Sequence, residues 1–416
     1  MDSNNNSPHN YRTWPIFLLA FIRLFYVSIF ERGLSNYLLY DIGIRESTLG
    51  YVSSAGAITY IFAPILGIFL TNKFLGVRKA LILNSVLTPL LTGVQIIYPQ
   101  AWFLIICRVS LGLSMGLFWP NCLNLLSQWQ KISTLERSKK NFGAFNSSWN
   151  FGFIGGLFVG FLWTLFLSDY FAMMIAWIIS FSLIPVSFFI KGEEKSENGE
   201  ETIIYQTEDP LSHLDIKQDL KINPKTPMVI YPILFSWTSI AFLTISKSIF
   251  NFSYPILLKD FFPVNTPSFM TYVVQGGLQF MQLGGLTWIN SMKVIKRKTA
   301  SLLSVLLVMM GALAIILVGN IWYISVITAI IGLFLGLIHG TGMKIMLEYG
   351  TAKNTTKYST INEILIGAGF GITPIITGYV VETQIYAIHV FIIILGIFIF
   401  FFLLYISRNV KKANNS

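Results

Sequence analysis

Residues 67–79 read GIFLTNKFLGVRK and residues 285–298 read GLTWINSMKVIKRK. Each stretch sets a glycine five residues before an asparagine, Gly67 before Asn72 and Gly285 before Asn290, and closes on a knot of Lys and Arg. The copies stand 218 residues apart in a chain of 416. A polar clause written twice at half the chain length is the mark of an internal repeat.

Apolar runs bracket both copies. The chain is 54% hydrophobic, 15% aromatic and only 12% charged, with a mean hydropathy of +0.64, more apolar surface than a soluble core of this length can bury. An α-helix needs about 20 apolar residues to cross roughly 30 Å of hydrocarbon. Twelve such runs are read, spans 1 to 12 in order: 14–39, 48–70, 80–98, 101–128, 142–167, 170–190, 229–252, 268–290, 299–318, 321–346, 358–381 and 385–407. Only helices and closed barrels satisfy every backbone group in lipid. Barrel strands alternate in hydropathy, whereas FIIILGIFIFFFLLYI (Phe391 to Ile406) is unbroken, so the expectation is an all-α integral membrane protein.

The polar opening, MDSNNNSPHNYRTW, has no signal-peptide pattern, and span 1 is expected to be retained with the N-terminus in the cytoplasm. With that orientation the inner segments hold nearly all the loop Lys and Arg, and the outer ones only Arg45 and Lys259, as the positive-inside rule requires. Both termini are therefore expected inside a multi-pass protein of the cell membrane. The net charge of +10 is spread over short loops next to anionic headgroups and is no sign of a nucleic-acid partner. A charged stretch at 191–228 separates the spans six and six. It reads as a cytoplasmic linker between halves 1–190 and 229–416, with an amphipathic pattern over LSHLDIKQDLK. Two halves of parallel sense are related by an axis along the membrane normal.

The loop after span 2, with Gly67, Asn72, Lys73, Gly76, Arg78 and Lys79, resembles that of the major facilitator superfamily, in which Gly precedes Asp-Arg and then Gly-Arg-Arg. Asn replaces Asp in both copies, and the second lacks the inner glycine. Span 4, RVSLGLSMGLFWPNCLNLLSQW (Arg108 to Trp129), followed by Glu136-Arg137 and glycine-rich NFGAFNSSWNFGFIGGLFVGFL (Asn141 to Leu162), is similar to the same family. The resemblance implies two pseudo-symmetric six-helix bundles, alternating access around a midplane site, and loops that latch against the opposite bundle. Asn72, Arg78, Lys79 and Glu136 in one half, and Asn290, Arg297, Lys298 and Glu348 in the other, are the residues that it puts in such a cytoplasmic latch. Gly156-Leu157 stands where the drug-antiporter branches have Gly-Pro, which counts against drug/proton antiport.

Charges inside the spans cost roughly 2.5–3.5 kcal/mol each at a helix centre and usually mark a cavity or a pair. Arg23 and Glu31 lie on one broad face of span 1. Arg32 faces away from Arg23 and is expected to snorkel outward. Arg108 in span 4 and Lys247 in span 7 complete the candidate binding cations. Gln275, Gln279 and Gln282 follow at i, i+4, i+7 on span 8, and Asn146 and Asn150 at i, i+4 on span 5, where their amides could line a wet cavity or bond between helices. Glu363 reads equally as one half of a structural pair. The glycine stripes 152/156/160 and 332/336/340 read as close helix packing.

No phosphate-binding G-x-x-x-x-G-K-[ST] loop occurs, the four histidines are scattered, and no cofactor, metal or covalent chemistry is expected. Cys107 and Cys122, about 22 Å apart on one helix, cannot pair with each other. The expected function is secondary transport, by a monomer, of a small-molecule substrate, an organic anion, with proton coupling through Glu31. Two alternatives stay open: a drug or lipid exporter with an apolar cavity, and a non-transporting scaffold or sensor.

Overall fold

The computed structural model describes residues 12–131, 135–190, 228–349, 355–409 and 411–413. The chain is a set of long helices joined by short turns. Span 1 is the helix Trp14–Asn36, continued by a π-helical turn Tyr37–Ile42 and stopped at Gly43, whose φ of 71° favours glycine. Span 2 comes in two pieces, Glu46–Tyr60 and Ala63–Leu70, the second begun by Pro64. The turn Thr71–Leu75 follows, and Gly76 at φ 71° starts span 3, Gly76–Ile97. Span 4 is also broken, Ala101–Met115 and Trp119–Lys131, with Pro120 opening the second piece. Span 5 is Leu135–Thr164, and span 6 is Asp169–Ser180 with Leu183–Phe188. Spans 7 to 12 are Ile233–Phe261, Phe269–Ser291, Val294–Val318, Ile321–Tyr349, Thr355–Thr383 and Ala387–Ile406.

Nine helical stretches among the described residues are long and apolar enough to cross a membrane. One of them, Ala63–Ile97, includes the turn at Gly76. The helices at the remaining expected places fall short for visible reasons: span 2 is broken after Tyr60, span 5 carries the polar run at 135–150, and span 8 carries three glutamines. Span 7 starts at Ile233 and not at 229, because Met228–Ile230 forms a short antiparallel strand pair with Lys411–Ala413. The rest of the expected linker, with its amphipathic stretch, lies outside the described residues. Large apolar side chains such as Ile97, Phe166 and Leu317 are more than two-thirds exposed, as a lipid-facing surface requires.

Helix packing repeats between the halves. Span 1 packs on spans 5 and 6 as span 7 packs on 11 and 12; span 2 packs on 4 as 8 packs on 10; span 3 packs on 4 and 6 as 9 packs on 10 and 12. The repeated glycines account for one of these pairings. A Cβ on Gly67 would overlap the backbone carbonyl of Gly116 in span 4, and one on Gly285 would overlap that of Leu333 in span 10. In both halves the glycine lets two backbones touch. Gly116 in turn abuts Ala63, so the breaks in spans 2 and 4 meet each other. The glycine stripes pack as expected: Gly152 and Gly156 lie on Phe21 and Phe25 of span 1, and Gly332 and Gly336 on Leu278 and Gln282 of span 8.

The halves meet along two seams, span 2 on span 11 and span 5 on span 8. At the first, a Cβ on Gly50 would lie 2.5 Å from the carbonyl oxygen of Pro374, and one on Gly378 would lie 2.6 Å from that of Glu46. Hydrogen bonds between described residues of the two halves include Ser47 N–H to Glu382, 2.8 Å, and Tyr40 to the Pro255 carbonyl, 2.9 Å. They also include Lys259 to the Leu39 carbonyl, 3.0 Å. These lie toward the face that carries connections 43–45, 165–168, 262–268 and 384–386. The opposite, basic face displays Lys73, Arg78, Lys79, Lys293 and Lys296, all exposed.

Candidate functional site

A cavity of about 200 Å³ lies between the halves, walled by Glu31, Arg32 and Ser35 of span 1, Ser53 of span 2, Ser248 and Asn251 of span 7, Gln275 of span 8 and Phe370 of span 11. Span 1 supplies adjacent residues of opposite charge. Glu31 accepts a 2.5 Å charge-assisted bond from Arg108 of span 4, and the two side chains differ sharply in exposure, 43% for Glu31 and 7% for Arg108. Arg108 thus reaches the cavity through its partner.

Arg32 does not snorkel outward. It is buried and turned into the second half, where Nε donates to Gln275 Oε1 at 2.7 Å and its two terminal nitrogens approach the Asn251 carbonyl at 3.3 and 3.2 Å. Among the described residues no carboxylate lies within salt-bridge distance of it. A guanidinium removed from water and met only by neutral dipoles is an incompletely compensated charge.

Lys247 stands beside the cavity, held by Gln279 Oε1 at 2.6 Å and Gln282 Oε1 at 2.7 Å. The same glutamines continue outward: Gln279 donates to Asn150 Oδ1 of the first half at 3.4 Å, and Gln282 pairs with His339 Nδ1 at 3.2 Å. Of the three span 8 glutamines only Gln275 lines the cavity; Gln279 and Gln282 are buried in the network around Lys247. Asn150 joins that network, while Asn146 accepts from Trp149 within span 5 at 3.2 Å. Glu363 of span 11 accepts from Tyr60 of span 2 at 3.1 Å, a structural pair that links the halves.

Arg23 is elsewhere. Its guanidinium donates to Asn84 at 2.5 Å and Thr88 at 3.3 Å and stacks 4.5 Å from the Phe118 ring, all inside the first half, and it is 1% exposed. Asn84 passes the chain of bonds to the Ser114 carbonyl at 2.6 Å, where span 4 breaks. Arg23 therefore sits in the packing of spans 1, 3 and 4 and not on the cavity wall.

Of the latch residues, Asn72, Arg78 and Lys79 are exposed on the basic face, and Arg78 approaches the Phe188 carbonyl at 3.4 Å. Arg297 is buried, and the Lys298 backbone N–H donates to Tyr231 at 3.3 Å. The side chains of Glu136, Asn290 and Glu348 lie outside the described residues. Both cysteines are free. No group of three or more His, Cys, Asp or Glu placed to hold a metal occurs among the described residues.

The residues that sequence reasoning passed over are Arg32 and the cavity's small polar wall, Ser35, Ser53, Ser248 and Asn251. Single serines scattered through apolar helices leave no periodic pattern.

No curated protein matches the chain significantly. Solved structures match in fold. A POT family transporter in complex with 5-aminolevulinic acid aligns with a TM-score of 0.71 at 13% identity, over 95% of this chain and 96% of that one. A mutant peptide transporter POT in complex with sulfate gives 0.67 at 14%, over 96% and 95%. The nucleoside transporter NupG gives 0.64 at 13%, over 95% and 99%. The family model described as Major Facilitator Superfamily matches residues 16–294. With helices paired alike in two halves, apolar side chains facing outward around them and a charged cavity where the halves meet, this multi-pass membrane protein belongs to the major facilitator superfamily.

Proposed function

We propose that the chain is a secondary transporter of a small organic anion, worked by alternating access of halves 1–190 and 229–416 about the cavity. One observation carries the reading. Arg32 sits in a cavity walled by both halves, with only amide and carbonyl partners. Around it the cations Arg32, Arg108 and Lys247 outnumber the acids Glu31 and Asp169, and an arriving carboxylate or phosphate would restore the balance. Because Arg32 belongs to one half and its partners Gln275 and Asn251 to the other, an anion bound there contacts both, which is how binding would drive a change of state.

Glu31 is the group to which we assign the coupling proton: it opens on the cavity and its partner Arg108 does not. Its release from Arg108 when substrate arrives would link the two events. Arg78 with Lys79, and Arg297 with Lys298, are proposed to steady one state of the cycle from the basic face. By the positive-inside rule that face would be cytoplasmic, and we take the protein to work as a monomer in the cell membrane.

The test is thermal stability of purified protein against panels of small organic anions, cations and neutral sugars. A ligand at 100 times its Kd stabilises by about 2.7 kcal/mol, readily seen as a shift. Stabilisation by anions alone, lost in Arg32→Gln, is expected. Stabilisation only by cations or sugars, or an anion response unchanged in Arg32→Gln, overturns the anion; absence of uptake in liposomes for every anion that binds overturns transport.

A further inference from the structure

We propose that Tyr272 is the gate on the face opposite the basic loops, closing the way to the cavity by seating in a socket of the first half. The inference rests on the transport reading but not on the nature of the cargo. Tyr272 belongs to span 8, yet it is fully buried among helices of the other half. Its ring lies against Gly160 of span 5, where a Cβ would come within 2.5 and 2.6 Å of two ring carbons. Its hydroxyl passes Gly33 of span 1, where a Cβ would lie 3.0 Å away. The hydroxyl then donates to Asp169 Oδ1 of span 6 at 3.0 Å. Two glycines make the slot and a carboxylate forms its floor.

The floor is itself tied across the halves. Asn36 of span 1 donates to the same Asp169 oxygen at 3.1 Å and lies 2.9 Å from the Thr271 hydroxyl, the neighbour of Tyr272. Asp169 is 5% exposed and has no cation within salt-bridge distance among the described residues. Spans 1, 5 and 6 cannot part from span 8 at this end while the ring is in place. A packed aromatic in a glycine slot is either seated or withdrawn, the two-position element that switching needs. Withdrawing it also strips Asp169 of a hydrogen bond, so opening at this face has a defined cost that the rest of the cycle must meet.

Tyr272, Gly160, Gly33 and Asp169 are accordingly positioning residues of the transport cycle, remote from the cargo. The test uses full-length protein in sealed vesicles and a membrane-impermeant maleimide. Ser35→Cys reports entry to the cavity, and Val264→Cys, 77% exposed on the connection 262–268, reports which side faces the reagent. Adding Tyr272→Ala, or Gly160→Leu to fill the slot, should raise labelling at position 35 from the Val264 side about fivefold or more. Tyr272→Phe, which keeps the ring and loses the hydroxyl, should fall between. Unchanged labelling in both Tyr272→Ala and Gly160→Leu overturns the gate. Where those variants fail to insert, Asn36→Cys with Thr271→Cys decides. A disulfide formed there should stop transport and release it on reduction, and transport at full rate with the bond formed overturns the proposal. Labelling reads access alone, so its outcome is independent of whether the cargo is an anion.

Discussion

Arg23 and Arg32 lie nine residues apart on one helix and serve opposite sides of it: Arg23 is bound by Asn84 and Thr88 of its own half, Arg32 by Gln275 and Asn251 of the other. Nine residues are about two and a half turns, so the two guanidiniums point half a circle apart. One ties a bundle together internally and the other reaches across to its partner. Arg23→Gln is therefore expected to lower the melting temperature while the apparent affinity for an anion stays within about twofold, whereas Arg32→Gln should abolish anion stabilisation with a smaller loss in the unliganded protein. Thermal shift with and without ligand separates them.

The Glu31–Arg108 pair should respond asymmetrically. Removing Glu31 leaves a 7% exposed guanidinium unpaired, while removing Arg108 leaves a 43% exposed carboxylate that water can reach. Glu31→Gln should therefore destabilise more than Arg108→Gln, by about 1–3 kcal/mol, and the double variant should lose less than the sum. Melting of the three proteins without ligand checks this. If Glu31 also carries the coupling proton, uptake by Glu31→Gln should no longer respond to an imposed pH gradient.

Gly67 and Gly285 should be equivalent. A leucine at either would drive two helix backbones apart, and each substitution should cost about 3 kcal/mol or more by overpacking, seen as lost monodispersity or a depressed melting temperature. Gly143 is the control, since a Cβ there meets nothing within 4 Å among the described residues; Gly143→Ala should be neutral or stabilise by up to about 1 kcal/mol.

Lys247→Met should leave two buried amide oxygens, those of Gln279 and Gln282, without their donor, at a cost of about 1–3 kcal/mol. Adding Gln279→Leu and Gln282→Leu should recover much of that stability. Anion stabilisation, tested on the same three proteins, should not return with it.

Periodicity and loop charge made the helices, their duplication and the basic face legible, because each depends on residue type summed over a turn or a loop. The glycine of the repeated stretch was legible too, although what it touches, Gly116 in one half and Leu333 in the other, depends on packing. On span 1 the angular separation of Arg23 and Arg32 is legible and its origin is not. A helical wheel fixes which residues share a face but not which face meets the cavity, and with Arg23 taken as the cavity residue, Arg32 had to point to lipid. Asn84 and Thr88, buried in span 3, are what fix the rotation. Asp169 gave no signal, because an acid just after Ser168 reads as an ordinary helix start. Ser35 bonds the Glu31 carbonyl of its own helix, and only the meeting of spans 1, 2 and 7 makes the cavity serines a wall.

The seam between spans 2 and 11 holds two contacts that differ in kind from the seated ring of Tyr272. At Gly50 and Gly378 main chain of one half lies directly against main chain of the other. Such a surface is a bearing. Meshed teeth must be pulled apart before two parts can turn, as the ring at position 272 must be, but smooth faces can roll while staying in contact and keeping lipid out. A bulky residue at either of those two glycines would then act as grit: the protein would still insert and hold its ligand, and it would seize.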